Sequence, residues 1–110
     1  MSIIEHYKAA RELTLQSGTL FEVGPQNVGG QELLGYVNAP GSMRDLWLLA
    51  TGHGENEYLV FGDERWTYTQ AAVEVAAFAC WLKGQGIESG DRVAISMRNY
   101  PEWMLAHWAI

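Results

Sequence analysis

An α/β fold is predicted for the second half of this chain by three observations. From residue 58 the order reads strand, strand, helix, strand, helix, and a strand–helix–strand unit of that size suggests a parallel pair. The strand containing "VAI" at residues 93–95 shows no clean alternation, the pattern of a strand covered on both faces. The closing stretch "WMLAHWAI" has His107 as its one polar residue, so its helix looks buried around its whole circumference.

The elements follow in order. Ser2 with Glu5 three residues on fits a capping box, and Ile3, Ile4, Tyr7, Ala10 and Leu13 recur at helical spacing, giving a helix over residues 3–16 with Gly18 past its end. "GPQNVGGQ" is turn chemistry between two short candidate strands, residues 20–23 and 33–37. In "NAPGSMRD" Ser42 caps a second helix, with Met43, Leu46, Leu49 and Ala50 on one face and Gly52 closing it. "EYLVFGDERWTY" reads as a hairpin turning at Gly62, Asp63 and Glu64. Thr69 is the expected cap of a long helix to about Lys83, with Val73, Ala76, Ala77, Cys80 and Trp81 on adjoining faces and Gly84 and Gly86 as stops. Residues 92–97 form a short apolar strand, and Asn99, Tyr100, Pro101 and Glu102 open the last helix. That helix meets no stop signal. Leaving Trp103 or Trp108 in water forfeits about 1.5–3 kcal/mol each, a large share of a typical stability of about 5–15 kcal/mol. The chain therefore reads as residues 1–57, a helical and loop-rich lead-in, and residues 58–110, the start of a larger domain whose sheet is incomplete.

Composition narrows the function. A net charge of −6, with the seven Lys and Arg scattered singly, argues against nucleic acid as a partner. "MSIIEHYKAA" lacks the charged start and apolar run of a secretory signal, and no apolar run is long enough for a transmembrane segment. With Cys80 as the one cysteine there is no intrachain disulfide, and a reducing, cytoplasmic setting is expected.

The motifs that invite chemistry have plainer readings. Gly24 and Gly29 stand at phosphate-loop spacing, yet Gly30 and Gln31 occupy the positions where Lys and Ser/Thr are needed. "GHGENE" and "GQGIES" lack the third glycine of a dinucleotide turn and follow helices instead of strands. His6, His53 and His107 are far apart, and Cys80 has neither Cys nor His close by, so no metal site is expected. His107 is the most tempting general base, but without partners it reads as a buried histidine satisfied by a neighbour. Ser2 and Ser42 read as caps, Cys80 as a core residue of a helix face, and Glu55, Glu57, Asp63 and Glu64 as solvated loop charges. The five tryptophans, spread over three helices and a strand, suit core and interface packing better than a stacking platform. No catalytic, cofactor-binding or metal-ligating residue is assigned, and the residues touching substrate are unknown.

From Tyr58 onward four pieces come in sequence: "WTY" at residues 66–68, "L-x-x-x-G" from Leu82 to Gly86, "GDRVAI" at residues 90–95, and "N-x-P-E-W" from Asn99 to Trp103. In this order and spacing the segment resembles the beginning of an acyl-CoA synthetase of the adenylate-forming, AMP-binding superfamily, which also holds luciferases and peptide-synthetase adenylation domains. The lead-in fits the fatty-acid-type branch. The resemblance implies an N-terminal piece of the large domain of such an enzyme, one that joins a carboxylic acid to ATP with loss of pyrophosphate and passes the acyl group to coenzyme A. ATP, CoA and Mg2+ are the cofactors it implies. The family's Ser/Thr/Gly-rich phosphate loop with its Lys, its Thr-Glu motif, its ribose-binding Asp and its C-terminal catalytic Lys all lie downstream of the matched residues. The 110 residues are therefore expected neither to form acyl-AMP nor to bind these cofactors tightly. The rival reading is a stand-alone, non-catalytic module that self-associates or docks through Trp103 and Trp108 of its apolar C-terminal helix.

Overall fold

The computed structural model describes residues 2–110 and shows four helices and two two-stranded antiparallel sheets among them. The chain divides into two compact units, Met1–Pro40 and Gly41–Ile110.

In the first unit α1 spans Ile3–Thr14 and begins with the predicted capping box. Ser2 Oγ accepts the Glu5 N–H at 3.3 Å, and the Glu5 carboxylate accepts the Ser2 N–H at 2.6 Å. The helix stops at Thr14, short of residue 16, because threonine hydroxyls take up its last carbonyls: Thr14 Oγ1 donates to Arg11 O at 3.0 Å, and Thr19 Oγ1 to Thr14 O at 2.6 Å. The expected strand at residues 20–23 is displaced. Leu20 and Phe21 lie in a turn, and β1 (Val23–Val28) runs through the stretch read as turn chemistry to pair with β2 (Gln31–Tyr36). The turn is confined to Gly29 and Gly30, both at positive φ (61° and 86°), as a type I′ hairpin requires. Pro25 is tolerated because a two-stranded sheet consists of edges.

The second unit holds the core. α2 (Met43–Thr51) is capped by Ser42, whose Oγ accepts the Asp45 N–H at 3.1 Å. Its inward face is Trp47 with Ala50, whereas Met43, Leu46 and Leu49, the expected stripe, are exposed. β3 (Glu57–Phe61) and β4 (Glu64–Thr67) form the predicted hairpin, turning at Gly62 and Asp63 with Gly62 at φ 56°. The register slips between Glu57 and Leu59, leaving Tyr58 as a bulge residue.

α3 (Tyr68–Gly84) is capped by Thr67 and not by Thr69. Thr67 Oγ1 accepts the Gln70 N–H at 3.2 Å, and the Gln70 side chain accepts the Thr67 N–H at 2.9 Å. The helix ends as a Schellman motif: Gly86, at φ 86°, donates its N–H to Lys83 O, and the Ile87 N–H reaches Leu82 O at 3.2 Å. Its buried side chains are Ala71, Val75 and Leu82. The expected face carrying Val73, Ala76, Ala77, Cys80 and Trp81 is exposed, including Cys80, which is therefore not a core residue.

Residues 92–97 run between α3 and α4 (Pro101–Ala109) without joining a ladder with any strand among the described residues. Val93 and Ile95 are partly buried while Ala94 and Ser96 are exposed, so this segment is covered on one side only. The parallel pair expected of a strand–helix–strand unit is thus not formed here. α4 packs on α3, burying Pro101, Leu105 and Ala106. Trp103 and Trp108 are partly buried, and His107 is exposed, so the circumference of α4 is not wholly covered. Trp47, Ala71, Val75 and Leu105 form the core cluster, with Tyr58, Leu59, Trp66 and Trp108 packed against it.

Candidate functional site

Two features of the second unit bring chemistry-bearing side chains together. The first is aromatic. Trp47 on α2 stacks on Trp108 on α4, with ring centroids 5.0 Å apart and planes inclined by 22°. The Trp108 indole N–H donates to Tyr58 Oη at 2.6 Å, and Tyr58 also lies 5.6 Å from Trp47 and 4.6 Å from Tyr68. The bulge at Tyr58 and the Thr67 capping box set up this meeting: one breaks the strand's alternation, and the other begins α3 at Tyr68. Burial pushes the Tyr58 phenol above its ordinary pKa of 10; the Trp108 hydrogen bond acts in the opposite sense, and nearby Tyr68 adds to the rise. Tyr58 is therefore a neutral phenol at physiological pH that accepts a hydrogen bond and ties α4 to the hairpin. The arrangement is structural in its chemistry. Burying an indole is tolerable when its N–H has a partner, and here the partner is supplied from within the unit.

The second feature is an open apolar cleft of about 370 Å³ between β3 and the start of α4. Leu59, Phe61, Tyr100, Trp103 and Met104 line it, with Asn99 as its amide, and the Phe61 and Tyr100 rings lie 5.1 Å apart. Among the described residues, Tyr100 is the one ionisable group that lines it.

The residues weighed from sequence do not converge on either feature as a reactive constellation. His107 is exposed and stacks parallel to Trp103 at 5.5 Å, so it is not the buried, hydrogen-bonded histidine expected. His53 packs against Tyr68 at 5.0 Å. Glu57 reaches Arg65 at 3.6 Å, with both side chains exposed, and Glu55, Asp63 and Glu64 are exposed as well. Gly29, Gly30 and Gly62 are spent on hairpin turns, Gly52 and Gly86 close helices, and among the described residues no group of three or more His, Cys, Asp or Glu gathers in one place. What the sequence reading missed is the Trp47–Tyr58–Trp108 contact. Helical periodicity could have pointed to Trp108, but the bulge that aims Tyr58 has no signal in the pattern of the strand.

Comparison with known proteins locates this scaffold. The family described as AMP-binding enzyme matches residues 47–110, beginning at Trp47 of the core cluster and running through α4. The medium/long-chain-fatty-acid–CoA ligase FadD6 of Mycobacterium tuberculosis is 37% identical over 57 residues, 52% of this chain and 10% of that protein. The chain thus spans about a tenth of the length of this curated relative. No solved structure matches it. With the greater part of its length matched, and the matched part forming most of the compact second unit, the chain belongs to the AMP-binding enzyme family.

Proposed function

We propose that this chain provides the opening scaffold of an ATP-dependent acyl-CoA synthetase acting on fatty-acid-type carboxylates. Residues 1–57 serve as lead-in and residues 58–110 begin the AMP-binding large domain. The observation that carries the reading is the family match over residues 47–110; the similarity to a medium/long-chain-fatty-acid–CoA ligase supports the fatty-acid branch. The overall reaction activates the acid as acyl-AMP with loss of pyrophosphate, then transfers the acyl group to the CoA thiol. A carboxylate resists nucleophiles until its oxygen becomes part of a good leaving group, which is the chemical need such an enzyme meets.

The part assigned to these residues is architectural. The hairpin, α3 and α4 hold a core around Trp47, Ala71, Val75 and Leu105, and no step of the reaction is assigned to any of them. A cytoplasmic setting belongs to the same proposal, and among the described residues no helix is long and apolar enough to cross a membrane. The alternative, a module that docks through α4, is disfavoured because Trp108 is already stacked and hydrogen-bonded within its own unit.

The test is expression of the whole reading frame that carries this chain, followed by incubation with ATP, Mg2+, CoA and dodecanoate or palmitate. Pyrophosphate and the fatty acyl-CoA are the expected products. Failure to form either with an acid series from short to long chain overturns the proposal. The isolated 110-residue chain is expected to show no ATP–pyrophosphate exchange above a protein-free blank.

A further inference from the structure

We draw no further inference here: the strongest candidate, the apolar outer face of α3 that carries Val73, Ala77, Cys80 and Trp81, is left open, and nothing in the structure shows what covers it.

Discussion

Tyr58 and Trp108 lie fifty positions apart in sequence and are joined by one 2.6 Å hydrogen bond. Substituting Trp108→Phe keeps an aromatic ring against Trp47 but removes the donor. A loss of about 1 kcal/mol is expected, read as a lower urea midpoint at unchanged slope. Tyr58→Phe should cost a similar amount, and the double variant little more than either, because both remove the same bond. Additive losses would mean that the bond carries no coupling. The pH dependence follows from the raised phenol pKa. Between the unfolded value of about 10 and the higher folded value, the unfolded chain has released the Tyr58 proton and the folded chain has not. This contribution is complete below pH 10 and is lost as pH rises through the folded pKa. Tyr58→Phe should remove that alkaline component from a urea-midpoint series taken between pH 8 and 11.5. His107, by contrast, lies outside the core: its position in an apolar run suggests burial, yet α4 turns it outward against Trp103. A helix that is apolar on nearly every side carries no periodicity to say which side faces the core.

At the scale of elements, capping chemistry was the most legible part of the sequence. Ser2 with Glu5 and Ser42 with Asp45 start helices where expected, and Gly86 ends α3. α3 starts two residues before the expected Thr69 cap, at Thr67 and Gln70 in capping-box spacing, a signal that the hairpin reading of "EYLVFGDERWTY" hides. The two roles are compatible: Thr67 closes β4 and caps α3. Thr67→Ala should therefore destabilise the chain by about 1 kcal/mol, whereas Thr69→Ala, inside the helix, should stay within about 0.5 kcal/mol of the parent. Thermal or urea unfolding of the two variants side by side distinguishes the caps. The first hairpin was less legible. "GPQNVGG" is rich in turn residues, but a two-residue I′ turn uses only Gly29 and Gly30 and leaves the rest free to extend. The inward faces of α2 and α3 also differ from the expected ones. Both helices are apolar on more than one side, so periodicity alone could not say which side meets the core: Val73 at 64% and Trp81 at 56% exposure lie on the side of α3 that stays open.

For the whole molecule, the coarse α/β class was legible from local signals, and the family from the order and spacing of "WTY", "L-x-x-x-G", "GDRVAI" and "N-x-P-E-W" between residues 66 and 103. The expected parallel strand was not realised because a strand is completed by its neighbours, and none among the described residues lies beside residues 92–97. Native-state hydrogen exchange should show this directly. Amides of residues 93–97 are expected to exchange orders of magnitude faster than those of Val75 to Leu82 in α3. Equal protection would mean that the segment is paired. The contact of Trp47, Tyr58 and Trp108 was not legible, because a bulge in the hairpin, and not the periodicity of any element, aims Tyr58 at α4. The most direct test of the central claim is the coding DNA beyond Ile110. If this chain is the opening scaffold of an acyl-CoA synthetase, the frame continues for several hundred codons, and a Ser/Thr/Gly-rich loop ending in Lys follows. A stop codon directly after Ile110 would contradict the account, because the residues that perform the chemistry would then have no place in this protein.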